Sequence, residues 1–325
     1  MHHLRFARLA ACALLLVSFD AFAGGPWVTE TGHSTLIFGF SRKTGGSNWD
    51  TWGNVVQPAD STLVNGLFHD FQYAYFNPTF GVAKNLEISA TFLYLWGYER
   101  ILKDPKSGKA ITPEWEYNAG FTDFWLNAKY QILHGEYPLA VQISSRFPDL
   151  YKQEGPYTRY VNRIVGKDTA VVASSEWRGL LKRDFGVYVM SGRSFGSKGY
   201  VEGQLGYNLR QDAFADQWYF EADGGYNIPV LASGVLTVKA MFDYTGGVGN
   251  GKVPDSTDRF YFKVNSAPQS NYYFNNSRVG RVYGSLIFVP EANSPYSVEV
   301  GIGRWLFGSG AVRYTEMYAQ VGYAF

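Results

Sequence analysis

The chain has 325 residues, of which 46% are hydrophobic and only 18% charged, with a formal net charge of +1. That balance gives no reason to expect nucleic acid or an acidic polymer as a partner. Aromatic content is high, at 18% with 36 Gly, which suits exposed strands, tight turns and side chains settled at membrane–water boundaries.

The first residues read as a secretory leader. Arg5 and Arg8 supply a positive start, Leu9 to Phe19 an apolar middle, and Ala21, Phe22 and Ala23 an A-x-A cleavage site. Residues 1–23 are therefore expected to be removed, leaving 24–325 as one domain that begins near Gly24. Leu9, Ala10, Ala11 and Cys12 resemble a lipoprotein box, but the apolar run Ala13 to Phe19 follows the cysteine instead of preceding it. Ordinary cleavage removes Cys12, the only cysteine, so the mature chain has no disulfide or thiol chemistry. Beyond the leader there is no apolar run of about 18 residues, so a spanning helix is not expected. The remaining membrane-spanning solution is a closed barrel, in which every backbone polar group pairs with a neighbouring strand.

The rest of the chain repeats a period of two. Leu36, Phe38 and Phe40 alternate first, then Leu86, Ile88, Ala90, Phe92, Tyr94 and Trp96. Phe124, Leu126, Ala128 and Tyr130 oppose Asp123, Asn127, Lys129 and Gln131. Val201, Leu205 and Leu209 oppose Glu202, Gln204 and Asn208; Trp218 and Phe220 oppose Glu221 and Asp223; Val238 and Phe242 oppose Lys239 and Asp243; Val298, Val300 and Ile302 oppose Glu299 and Gly301. At the C-terminus Met317, Ala319, Val321, Tyr323 and Phe325 share one face, opposite Glu316, Tyr318 and Gln320. A terminal Phe on such a strand resembles the signal read by the outer-membrane assembly machinery, with Tyr323 and Phe325 as its carriers. The apolar set is expected to face lipid and the polar set the lumen, the inverse of a soluble barrel.

The fold class is all-β, a transmembrane antiparallel up-and-down barrel of about 12 strands, with 14 possible. The predicted spans are 33–43, 67–80, 86–99, 119–133, 138–149, 184–195, 199–210, 217–228, 235–246, 276–289, 296–307 and 311–325. Short links near 83–85, 134–137, 196–198, 229–234 and 290–295 alternate with mostly long ones at 44–66, 100–118, 150–183 and 247–275, as periplasmic turns alternate with external loops. Val171 to Leu181 is a candidate further strand, which would need a second to restore an even count.

The expected lumen carries both signs. Asp70, Glu87, Asp123, Glu202, Glu221, Asp223, Asp243, Glu299 and Glu316 oppose Lys43, Lys129, Arg146, Arg210, Lys239 and Arg281. They are the lumen-lining candidates, either as a polar pathway with charge-selective positions or as paired charges holding strands in register. His33 and His134 fall at periplasmic turns. His69 lies near the external rim beside Asp70, where outer-membrane hydrolases place catalytic groups, but no serine can be assigned to it and no hydrolase motif surrounds it. No catalytic residue, metal site or cofactor is therefore expected. Gly246, Gly247, Gly249 and Gly251 lack the Gly-Lys-Ser/Thr of a phosphate loop. Asp255 and Asp258 lack a calcium-ligand pattern. Trp49, Trp52, Trp115, Tyr272, Tyr273 and Phe274 lie in or beside external loops, placed to pack there or to stack on solutes.

Five stretches carry a family resemblance: Gly25-Pro26-Trp27-Val28-Thr29-Glu30-Thr31-Gly32-His33 before the first strand; Gly81-Val82-Ala83-Lys84-Asn85-Leu86-Glu87 at a tight turn; Gly120-Phe121-Thr122-Asp123 leading to Ala128-Lys129-Tyr130; Ser191-Gly192-Arg193-Ser194-Phe195; and Gly206-Tyr207-Asn208-Leu209-Arg210. With them the chain resembles the outer-membrane transporter family labelled "MetA-pathway of phenol degradation", relatives of the fatty-acid transporter FadL. The resemblance implies uptake of hydrophobic or aromatic compounds; similar proteins also occur near exopolysaccharide export systems. FadL-like channels carry a long N-terminal hatch. Here the first strand begins about ten residues after cleavage, so no hatch is expected.

The function expected from these features is passive or facilitated passage of a small molecule through the outer membrane. A hydrolase with its active site at the rim, and a structural or exopolysaccharide-associated barrel, are the alternatives. Expected partners are outer-membrane lipids and lipopolysaccharide, the barrel-assembly machinery and a small-molecule cargo.

Overall fold

Strands that are apolar on one face and polar on the other bury their polar face only by curling round it, and in the computed structural model they do so as one closed antiparallel sheet. The structure describes residues 25–49, 55–56, 68–103, 110–112, 120–147, 160–165, 168–173, 183–210, 215–230, 233–248, 261–264, 267–270, 278–291, 294–309 and 311–325. The expected leader, residues 1–23, lies outside them.

Twelve long strands make the wall: β1 (Ser34–Trp49), β2 (Phe68–Ala83), β3 (Leu86–Lys103), β4 (Gly120–Leu133), β5 (Leu139–Phe147), β6 (Asp184–Ser194), β7 (Gly199–Arg210), β8 (Gln217–Val230), β9 (Gly234–Gly247), β10 (Arg278–Val289), β11 (Tyr296–Ser309) and β12 (Ala311–Ala324). Each pairs with the next in sequence, and β12 pairs with β1 from Thr35↔Ala324 to Trp49↔Ala311. Ser34 and Phe325 exchange both backbone hydrogen bonds, at 2.8 and 2.9 Å, which closes the seam. Two short pieces, Val55–Val56 on β1 and Ala110–Thr112 on β3, extend the sheet to fourteen strands without entering the closed wall. Two hairpins, Tyr160–Val165 with Asp168–Ala173 and Tyr261–Val264 with Ala267–Ser270, pair apart from it. The candidate strand at Val171–Leu181 thus begins within a separate hairpin, and the wall has twelve strands.

The turns at one end are tight for identifiable reasons. Asn85 sits at φ +67 between β2 and β3, a left-handed position that Asn tolerates. Gly199 opens β7 at φ +139, and a Cβ there would stand 2.0 Å from the Gly225 carbonyl oxygen, so only glycine fits. Both chain ends of the barrel lie at this same end, which is the periplasmic one by the rule that short turns face that side.

The outer surface is apolar. Phe38, Ile88, Ile143, Val189, Leu205, Phe220, Val238, Leu286, Val300, Met317 and Val321 are all exposed, as a lipid-facing wall requires. A row of phenylalanines, Phe76, Phe92, Phe124 and Phe147, crosses β2 to β5 with successive ring centroids 6.4, 5.8 and 5.1 Å apart. At the short-turn end Tyr137, Phe195, Tyr226, Tyr296, Tyr323 and Phe325 are exposed. There Tyr323 lies between Tyr296 and Phe325 at 5.0 and 5.5 Å, in the position of an interfacial girdle. No helix among the described residues is long and apolar enough to cross a membrane; the crossing is made by strands.

Candidate functional site

The inward face holds most of the charged residues of the strands. Glu87, Asp123, Lys129, Glu202, Asp223, Asp243, Glu299 and Glu316 are buried, while Arg146, Arg210, Glu221, Lys239 and Arg281 are half-buried. The side chain of Asp70 lies outside the described residues, as does that of His69. Opposite signs meet across neighbouring strands. Lys129 on β4 reaches Glu87 on β3 at 3.0 Å, Lys239 on β9 reaches Asp223 on β8 at 3.2 Å, and Lys43 on β1 reaches Glu316 on β12 at 3.6 Å. The Arg281 Nε on β10 donates to Asp243 Oδ1 on β9 at 2.5 Å. Arg146 on β5 meets Asp184 on β6, which also faces Arg210 on β7 at 3.6 Å. Burying charges off the water requires such partners.

Tyrosines and amides finish the network. The Tyr318 hydroxyl and the Gln320 amide donate to Glu299 at 2.8 and 2.6 Å, and the Tyr75 hydroxyl donates to Gln320 at 2.8 Å. Tyr283 donates to Glu316 at 3.2 Å, Tyr188 to Asn208 at 2.5 Å, and Tyr219 to Glu221. Trp305 on β11 is buried between two cations, Lys43 at 5.7 Å and Arg281 at 5.6 Å from its ring centroid, a favourable arrangement for a ring face. A cavity of about 250 Å³ opens near the external ends of β5 to β7, lined by Ser145, Arg183, Asp184, Phe185, Leu209 and Arg210.

No long hatch was expected before β1; the short segment there enters the barrel. Thr29 donates from its backbone N–H and from its hydroxyl to Glu87 Oε2 on β3, both at 2.8 Å. Trp27 packs edge-on against Tyr200 on β7, with ring centroids 6.2 Å apart. Gly25 abuts the Glu202 carboxylate, also on β7, and Pro26 is fully buried. In the closed order β7 stands six strands from β1 in either direction. The nine residues from Gly25 to His33 have about 30 Å of reach, and they form a strap across the short-turn mouth. Its outer end is held by backbone bonds: Gly32 N–H to the Gly81 carbonyl at 2.9 Å and Gly81 N–H to the His33 carbonyl at 3.0 Å.

Gly81 makes this seat possible. A Cβ there would stand 2.0 Å from the Glu30 carbonyl oxygen and 2.5 Å from that of Thr29, and backbone cannot yield as a side-chain tip can. Gly81→Val is expected to unseat the strap while the wall persists. Hydrogen exchange should then show loss of protection at the Thr29 and Gly32 amides, with protection of β7 and β12 amides retained. Unchanged exchange at Thr29 would contradict the packing argument.

The remaining predicted residues are dispersed. His33 and His134 are exposed at the short-turn end, His33 with its Nε2 3.9 Å from Glu30. Trp49 is buried at the far end of β1, within 6.0 Å of the Arg313 guanidinium. Trp52, Trp115, Asp255, Asp258, Gly249, Gly251, Tyr272, Tyr273 and Phe274 lie outside the described residues. Among the described residues no group of three or more His, Cys, Asp or Glu is arranged to hold a metal ion. Two inward residues escaped the sequence reading. Asp184 stands at the first position of its strand with no alternation before it, and Trp305 was not extrapolated from the inward run Glu299, Gly301, Gly303.

No family model and no curated protein matches the chain. Among solved structures, the chain is similar to the COG4313 outer membrane channel from Pseudomonas putida F1, with a TM-score of 0.58 at 12% identity over 93% of this chain and 98% of that one. For the beta domain of the Bordetella autotransporter BrkA the TM-score is 0.44 at 13% identity, covering 90% of this chain and 99% of that one. For the translocator domain of autotransporter NalP from Neisseria meningitidis the values are 0.39 and 11%, over 98% and 96%. The first of these likenesses supports the fold.

Proposed function

We propose that this multi-pass β-barrel of the outer membrane is a channel for a small solute, with hydrophobic or aromatic compounds as the substrate class. One observation carries the reading: the face enclosed by the wall is polar and mixed in sign, with Lys43, Lys129, Lys239 and Arg281 each met by a carboxylate on an adjacent strand. Such a surface supports water and passing solutes without a net field of one sign, so weak ion selectivity follows. Inward rings add to it. Tyr188, Tyr219, Tyr283 and the cation-flanked Trp305 offer polar-edged aromatic surfaces on which a flat solute can stack. The glycine-rich turns that resemble phenol-degradation transporters agree with that substrate class. A twelve-strand wall encloses an intermediate width, between filled eight-strand barrels and open sixteen-strand porins, and the strap narrows it further.

Mature protein in planar bilayers should show small conductance steps with a cation-to-anion permeability ratio close to one. Liposomes carrying it should take up a simple phenol faster than empty liposomes. Electrical silence together with phenol uptake no faster than in empty liposomes would end the channel reading in favour of a structural barrel.

A further inference from the structure

We infer that the outer surface of the β1–β12 seam, at its long-loop edge, binds a phosphate group of the phosphorylated glycolipid of the outer leaflet, through Arg42 on β1 and Arg304 on β11. This rests on the outer-membrane placement of the barrel and is independent of the channel reading.

Both arginines belong to the lipid-facing set. Arg42 continues the exposed series Phe38 and Phe40 on β1, and Arg304 stands between the exposed Ile302 and Leu306 on β11. Their neighbours Ser41, Gly303 and Trp305 are buried. Arg42 is eight residues along its strand from Ser34, and Arg304 eight from Tyr296, both strands starting at the short-turn end. Eight residues of a tilted strand climb roughly 20 Å, against an apolar band about 25 Å tall. The two arginines therefore stand near the upper edge of the lipid.

Register brings them together across the seam. Thr315 on β12 pairs with Arg304 on one side and Thr44 on the other, and Met317 pairs with Ile302 and Arg42. The arginines are thus two strands and one outward step apart, about 12 Å between Cα atoms, a gap that two extended arginine side chains can close from either side. Thr315 and Thr44 put two hydroxyl-bearing residues in the same rung. The exposed Phe40, Met317 and Ile302 continue the wall toward the membrane centre. Cations at the edge and apolar surface beneath match a phosphate with acyl chains below it.

The sign of the charge selects the partner. Among the described residues, the exposed charged side chains at the long-loop end are Arg42, Arg183, Arg278 and Arg304, with no acid, whereas those at the short-turn end include Glu30, Glu136, Lys84 and Lys198. A cation at the edge of lipid is costly unless it meets an anion or water, and the planar arginine fork takes phosphate oxygens two at a time. A zwitterionic headgroup would bring its own cation against the patch; a phosphate on a sugar brings none.

The test titrates mature protein in neutral detergent with bisphosphorylated lipid A and reads the bound fraction by native mass spectrometry. Wild type is compared with Arg42→Gln, Arg304→Gln and, as a control from the short-turn end, Lys198→Gln; the heat-modifiable band checks that each barrel is closed. Each arginine substitution is expected to weaken binding about tenfold, as loss of a charge-assisted contact does, and Lys198→Gln to leave it unchanged. Lipid A stripped of its phosphates should bind wild type no better than it binds the variants. Equal affinity of wild type and both arginine variants overturns the inference. So does equally tight binding of the stripped lipid to wild type, which would leave acyl-chain contact alone. Displacement of lipid A by inorganic phosphate at equal concentration also overturns it, since the patch would then be a site for free anions.

Discussion

Deletion of Phe325 is expected to abolish most of the folded, heat-modifiable band while leaving synthesis and export intact. Phe325 donates to and accepts from Ser34 across the seam, and its ring stacks on Tyr323, which in turn meets Tyr296. Deletion removes the last rung of β1–β12 pairing and leaves the Ser34 backbone N–H and carbonyl without their strand partner. It also removes the terminal aromatic of the alternating strand proposed as the assembly signal. The product should be a periplasmic, protease-sensitive species. Phe325→Tyr, which preserves ring and backbone, should assemble normally. Wild-type amounts of the heat-modifiable form after deletion would show that neither closure nor recognition depends on this residue.

Lys129→Met is expected to destabilise the barrel by about 3–5 kcal/mol, the range for removing one partner of a buried pair. Lys129 and Glu87 approach to 3.0 Å with side chains only 7% and 10% exposed. Loss of the ammonium leaves the Glu87 carboxylate with the two neutral donors of Thr29, which places the effect toward the lower end of the range. Adding Glu87→Gln to Lys129→Met should recover much of the loss, because an amide costs far less to bury than an uncompensated charge. The urea midpoint of refolded protein in lipid reports both changes. A loss below about 1 kcal/mol would mean that the pair behaves as a solvent-screened surface bridge.

The wall was legible in the sequence because lipid and an aqueous interior impose opposite demands on alternate residues. The run from Met317 to Phe325 shows it, with every second side chain exposed. The strand ends were less legible. The first strand was expected to stop at residue 43, with 44–66 read as a long link that includes Gly45, Gly46 and Ser47. A bulge between Gly45 and Ser47 absorbs them, and pairing resumes at Ser47↔Arg313. Inward charges could be assigned a face from periodicity, but not a partner, because register and diagonal reach decide which cation meets which acid. The strap was not legible. Gly25 to His33 stood out only as a stretch before the first strand, and the partners that seat it, Glu87, Tyr200 and Glu202, lie 58 or more residues away.

That seat also constrains the order in which the molecule is made. Its inner anchors are on the seventh strand, half-way round the wall, so the strap has nowhere to dock until seven strands are in place. Once docked it spans the mouth of the barrel like a tie-rod, joining β1 to β7. Pairing of Ser34 with Phe325 brings together almost the whole length of the mature chain, a contact of the slowest kind to form. The strap is a second tie of the first strand, independent of that contact, because it fixes the distance between β1 and the middle of the sheet.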